Sequence, residues 1–135
     1  MSARALKEKF GDKLTLSPVS DIECLRSGGL NCNGTTQWML KNFNINKRPY
    51  DVTFQLDNNK LNTVSIQKYS DASNDFVRFK DLLEKKYGRP TITDTKLSEI
   101  GLTRYIWRIP STEIYLNRIA RDQKNTSMGL FYLPR

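Results

Sequence analysis

Tyr50, Val52, Phe54 and Leu56 alternate with Asp51, Thr53, Gln55 and Asp57, the period of a strand with one buried face. The next run, Leu61 to Tyr69, carries Val64 and Ile66 on one side. A two-residue loop at Asn58-Asn59 would oppose Phe54 with Thr63. A three-residue loop, Asn58-Asn59-Lys60, opposes Phe54 with Val64 and Val52 with Ile66, so matching faces agree and this longer loop is predicted. Thr36 to Phe43 is expected as an earlier strand of the same meander, joined through the polar stretch Asn44 to Pro49. Near the start, Ala3 to Phe10 predicts a short helix stopped by Gly11, and Ser17-Pro18 is expected to begin a second helical segment through Asp21 to Leu25.

The strongest helical pattern runs from Asp71 to Tyr87. Phe76, Phe79, Leu83 and Tyr87 recur at helical spacing and Leu82 widens the stripe. Asp71 or Ser73 is expected to cap its start, Lys85 and Lys86 suit the negative end of its dipole, and Gly88 followed by Pro90 ends it. Three further strands are predicted: Leu102 to Ile109, Thr112 to Arg121 and Ser127 to Leu133, with a shorter one between Thr91 and Lys96. With Pro110-Ser111 as the turn, Trp107 opposes Ile114 and Tyr105 opposes Leu116. These elements predict an α+β fold: an antiparallel sheet of about six strands, one long helix packed on a face, and short N-terminal helical segments, all in a single domain over residues 1–135. The helix stripe is expected to pack on Val52, Phe54, Trp107 and Ile114.

Six Phe, six Tyr and two Trp supply large side chains for a core despite a hydrophobic fraction of 38%. No apolar run approaches the ~20 residues that span a bilayer, so no transmembrane segment is expected. Met1-Ser2-Ala3-Arg4 lacks the apolar stretch of a signal peptide, and an export signal removed from the chain stays compatible with it. The net charge is +8, from 22 Lys and Arg against 14 Asp and Glu, which favours acidic partners of any class. The basic residues are dispersed, the longest pairs being Lys47-Arg48 and Lys85-Lys86, so a polybasic tail is excluded.

The chain has no His, which removes Ser-His-Asp and Cys-His chemistry along with the commonest metal ligand. Neither a metal nor another cofactor is expected, since two cysteines alone do not make a structural zinc site. Asp12, Asp21, Glu23, Asp51, Asp57, Glu99 and Glu113 lie outside the main helix, but no pair stands out as a glycosidase-like acid and base. A small carboxylate-dependent hydrolase is therefore the third reading of function, and no catalytic residue is assigned. The glycine-rich stretch Ser27 to Gly34 lacks the Lys-Ser/Thr of a phosphate-binding loop. Within it fall Cys24 and Cys32's intervening glycines, Gly28 and Gly29, which allow the chain to turn back. A disulfide between the two cysteines is expected ahead of two buried thiols, and it implies an oxidising compartment.

The set of most interest is Arg104, Arg108, Tyr115, Arg118 and Arg121 in the last strands. Alternation places Arg104, Arg108 and Tyr115 opposite the face of Tyr105 and Trp107, with Ile106 and Ile119 beside them. Arg108 and Glu113 are expected as a cross-strand pair. Arginines interleaved with an aromatic suit an acidic protein surface or a single-stranded nucleic acid. An ordinary solvated sheet face accounts for them equally simply.

The run Phe76 to Pro90, ending Lys86-Tyr87-Gly88-Arg89-Pro90, followed by Trp107 and Ile114-Tyr115-Leu116, resembles a pattern seen in small bacterial envelope proteins and lipoproteins. The resemblance spans about Tyr50 to Tyr132 and implies an exported, noncatalytic α+β domain, which a paired Cys24 and Cys32 would suit. The expected function is a noncatalytic binding or inhibitory domain of the envelope that recognises a protein partner with an acidic surface, in a periplasmic or secreted setting. A cytoplasmic, basic nucleic-acid binder is the alternative.

Overall fold

The computed structural model describes residues 1–17, 35–122 and 125–135. The segment expected to be helical through Leu25, the glycine-rich stretch, and Cys24 and Cys32 lie outside the described residues. Among the described residues there are eight strands and two α-helices, so the chain is α+β in kind, but not six strands with one long helix. It divides into two compact units, Met1–Val64 and Ser65–Arg135. Among the described residues no helix is long and apolar enough to cross a membrane.

In the first unit, α1 (Ala3–Phe10) forms as predicted. The Ser2 hydroxyl caps it by accepting the Ala5 N–H at 3.2 Å, and Gly11 takes φ 59 at its end. Its start is tied to a hairpin turn, because the Ala3 N–H donates to Asn59 Oδ1 at 3.0 Å and the Leu61 N–H to the Met1 carbonyl at 2.9 Å. The buried Leu6 and the half-exposed Phe10 are its inner face, and Phe10 meets Phe43 edge-on at 6.0 Å and Phe54 at 5.5 Å. Phe54 thus finds its aromatic neighbour on this short helix. Beneath lie β1 (Leu14–Ser17), β2 (Thr35–Ile45) and β3 (Arg48–Asp57), antiparallel in that order. β1 ends at Ser17, the residue expected to cap the second helical segment.

β3 alternates as read from the sequence, with Tyr50, Val52, Phe54 and Leu56 buried. The hairpin that follows corrects the sequence expectation. β4 (Lys60–Lys68) starts two residues after β3 ends, and the turn residues Asn58 and Asn59 take φ 50 and 62. Two consecutive residues in the left-handed region make a type I′ turn, whose twist matches the strands and which Asn tolerates well. The turn therefore opposes Phe54 with Thr63, not Val64. Along β4, Ser65 is buried while Val64 and Ile66 are only half-buried, the reverse of the expected alternation. The local preference of two asparagines overrides the match of apolar faces.

In the second unit, α2 (Ser73–Tyr87) is ended by Gly88 at φ 84, whose N–H donates to the Glu84 carbonyl at 2.8 Å. Its start differs from expectation. Ala72 occupies the cap position without a side-chain hydrogen bond, and Asp71 sits at φ 52. The first-turn carboxylate, Asp75, is fully buried and holds Lys68 Nζ at 2.9 Å and Arg78 Nη2 at 2.8 Å. Phe76 and Leu83 are buried, whereas Leu82 is 46% exposed and lies outside the core stripe.

β5 (Ile92–Asp94), β6 (Leu102–Ile109), β7 (Thr112–Ala120) and β8 (Thr126–Pro134) pair antiparallel in sequence order. Trp107 opposes Ile114 and Tyr105 opposes Leu116, as predicted. This face packs under α2. Trp107, Ile114, Leu116 and Leu130 are buried, Phe76 stacks on Tyr105 at 5.8 Å, and Trp107 Nε1 donates to the Gly88 carbonyl at 3.0 Å. The indole N–H thus satisfies a carbonyl at the helix end while its ring fills the core.

Candidate functional site

Strand alternation decides which charged residues meet. In the register of β6 with β7, Arg104 pairs with Asn117, Ile106 with Tyr115 and Arg108 with Glu113, all on the face turned away from α2. Register with β8 adds Ser127 beside Ile119, Gly129 beside Asn117 and Phe131 beside Tyr115. Side-chain bonds link these positions into one chain. Arg108 Nε donates to Glu113 Oε1 at 3.2 Å, the Tyr115 hydroxyl donates to the same oxygen at 3.0 Å, and Arg104 Nε donates to Asn117 Oδ1 at 2.9 Å. The Arg104 guanidinium lies 5.8 Å from the Tyr115 ring centre, within cation–π range.

The two titrating groups of this chain are shifted against each other. The Tyr115 hydroxyl, then the Arg108 guanidinium, hold the Glu113 carboxyl below its usual range. The Glu113 acceptor raises the Tyr115 phenol in return. A donor bonded to the charged form of one partner explains both directions.

Next to the chain lies a cup of about 230 Å³, lined by Gln67, Tyr69, Asn117, Ile119, Ser127 and Phe131 over Gly129. The Phe131 ring folds back across Gly129 so closely that a Cβ there would sit 2.6 Å from it. Glycine at this position lets the ring lie down along the strand. Ile119 is 46% and Tyr69 64% exposed, so the cup opens to solvent between apolar walls. Because Arg104 can only donate, the bond it makes takes the oxygen of the Asn117 amide and leaves the amide nitrogen as the group available to a ligand.

No family model, characterised protein or solved structure matches the chain.

The structure brings together three of the five arginine and tyrosine positions singled out in the sequence: Arg104, Arg108 and Tyr115. It separates Arg118, which opposes Thr103 and Met128 on the α2 face and places its guanidinium 5.3 Å from the Phe76 ring centre. Its Nε is buried without a hydrogen-bond partner. Arg121 is exposed beyond the end of β7, in the connection to β8, where its N–H meets the Asn125 carbonyl at 3.4 Å. Among the described residues no group of three or more acidic or cysteine side chains is placed to hold a metal ion.

Asn117, Gly129 and Phe131 escaped the sequence reading. Finding them needed the β7–β8 register, and the connection from Arg121 to Asn125 is no two-residue turn from which to count. The signal present was the alternation Ser127, Gly129, Phe131, Leu133, small and then large on one face.

Proposed function

We propose that the chain is a noncatalytic binding domain of the bacterial envelope that grips a protein partner through the face of β6, β7 and β8 turned away from α2. The observation that carries this reading is the fixing of two arginines by hydrogen bonds from Nε. Arg104 is held by Asn117 and Arg108 by Glu113, which leaves the Nη ends of both as pre-set forks for a partner's carboxylates. A rigid fork loses less side-chain entropy on binding than a free one. Beside them the cup offers an apolar recess for one anchoring side chain. Arginine and tyrosine around such a recess are the usual composition of an interface hot spot.

Charge on this face favours protein over nucleic acid. Glu113 pairs with Arg108, and Asp94 lies across from Arg104 on β5, so the two cations stand beside two carboxylates. A phosphate backbone is favoured by a surplus of cations, which this face lacks.

The test places a photo-crosslinking residue at Ile119 and compares capture from envelope and cytoplasmic fractions. A protein partner from the envelope fraction is expected, with affinity at least about tenfold weaker after Arg104→Ala with Arg108→Ala. Capture of nucleic acid, or of nothing that responds to the double replacement, overturns the reading. The compartment has its own check. Alkylation of native protein without reduction is expected to leave Cys24 and Cys32 unmodified, because they are joined in an oxidising setting. Two alkylated thiols would move the chain to the cytoplasm.

A further inference from the structure

β2 is longer than the strand beside it. β1 pairs only with Gln37 to Leu40, yet β2 continues through Lys41 to Ile45 against β3. Where β1 stops, a bulge sets Lys41 and Asn42 against Asp51. Asn42 adopts φ 52 and its N–H donates to Asp51 Oδ1 at 3.1 Å. Beyond the bulge, Ile45 pairs with Arg48 across the two-residue turn Asn46-Lys47, and Asn44 pairs with Pro49.

Proline fixes the direction of the next backbone groups. It has no N–H, so the Asn44–Pro49 pair belongs to the kind that exchanges no hydrogen bonds, alternating with the bonded pairs on either side. In such a pair both backbone groups of a residue point away from the partner strand. The Asn44 N–H and C=O therefore face the edge beyond the end of β1, where the register gives them no strand partner.

The second unit treats its edge differently. Beyond the short β5, the Arg108 N–H is taken by Thr91 Oγ1 at 3.0 Å and the Leu102 N–H by the Leu97 carbonyl at 3.0 Å. There the ladder's loose ends are closed by the chain itself, the usual protection of a sheet edge. Beside Lys41 to Asn44 the surface instead forms a groove of about 650 Å³, lined by Lys13, Thr15, Lys41, Asn42 and Asn44 over Leu40 and Phe43, and none of the described residues in its wall is acidic.

We propose that this groove takes a short, extended, acidic segment of a partner protein, which continues the line of β1 and bonds to the backbone of Asn44. A donor and an acceptor set out along a strand edge match another peptide backbone, the basis of strand addition. Lys13 and Lys41 supply the preference for Asp and Glu on that segment. The proposal is independent of the arginine face.

The experiment uses the whole chain, labelled with ¹⁵N, and three synthetic peptides: alternating Glu and Val, alternating Lys and Val, and the Glu peptide N-methylated at alternate residues. The Glu peptide is expected to slow exchange of the Asn44 amide and shift the signals of residues 41–45. Lys13→Glu with Lys41→Glu should weaken it by about tenfold or more, and Asn44→Ala should leave it nearly unchanged, because the contact is backbone. Arg104→Ala with Arg108→Ala should have no effect, so failure here and failure of the arginine face are separable. An Asn44 amide already protected in the free protein overturns the proposal, as does equal binding of the Lys or N-methylated peptide. So does absence of binding at millimolar peptide. Self-association protecting the same amide would replace the acidic segment by a second copy and equally overturn it.

Discussion

Glu113 accepts from Tyr115 and Arg108 at once, and that double bond sets the sign of its pH behaviour. A carboxyl held below its usual range contributes stability that is present above that range and lost as pH falls through the lowered value. Tyr115→Phe removes the larger of the two causes, so the Glu113 midpoint should rise towards that of a free carboxyl. Carbon-detected NMR titration of the side chain measures it, and an unmoved midpoint would show that the hydroxyl does not bond as described. Asp75 is the opposite case, fully buried between Lys68 and Arg78. Asp75→Ala removes the carboxylate that Lys68 and Arg78 share and should cost about 3 kcal/mol, the lower end for a broken buried pair, because both cations keep some solvent. Chemical denaturation reads this, and a change within error would mean the triad adds nothing net. Arg104, Arg108 and Tyr115 were legible from alternation alone. Alternation along β7 also sets Arg118, three residues from Tyr115, on the other face, where a long aliphatic stem lets a cation sit against Phe76.

Turns decide what the elements do. The helix at Ala3 to Phe10, the helix ending at Tyr87 and most strand ranges agree with the structure because apolar periodicity repeats over many residues and tolerates a local exception. The β3–β4 register rests on two residues, and Asn58-Asn59 adopts the left-handed geometry that the matching of Phe54 with Val64 argued against. The same turn recurs at Asn46-Lys47, where Lys47 takes φ 68. A lysine in that region costs about 1 kcal/mol relative to an unstrained position. Lys47→Gly should therefore raise the denaturation midpoint, and a lower midpoint would indicate that Lys47 makes a contact worth more than the strain. On α2, Leu83 is 5% exposed and faces the sheet of its own unit. Leu83→Ala should destabilise by about 2 to 5 kcal/mol, whereas Leu82→Ala, on the exposed side, should have little effect. Equal effects of the two would contradict the observed orientation of the helix.

At the scale of the whole molecule the question is where a charge of +8 goes. Little of it is concentrated. Arg4 pairs with Glu8, Lys80 with Glu84, Arg108 with Glu113, and Lys68 with Arg78 around Asp75. Several further cations are placed over rings: Lys7 over Trp38 at 4.6 Å, and Arg104 and Arg118 over Tyr115 and Phe76. Counterion release needs cations aligned along a backbone of phosphates, and each one so placed adds about 0.7 to the log–log salt slope on a single strand. Dispersed and paired cations predict a weak, nonspecific association. Single-stranded DNA should therefore bind this chain no more tightly than it binds an unrelated protein of equal charge. Replacing Arg104, Arg108 and Arg121 together with Ala should then lower affinity only as far as loss of three charges does anywhere on the surface, matching the replacement of Lys9, Lys60 and Lys96. Fluorescence anisotropy across a salt series measures both. A markedly steeper loss for the arginine set, with affinity well above the control protein, would return the arginine face to nucleic-acid recognition. Parallel curves for the two triple variants leave the forks of Arg104 and Arg108 to a protein's carboxylates, where geometry rather than total charge sets the affinity.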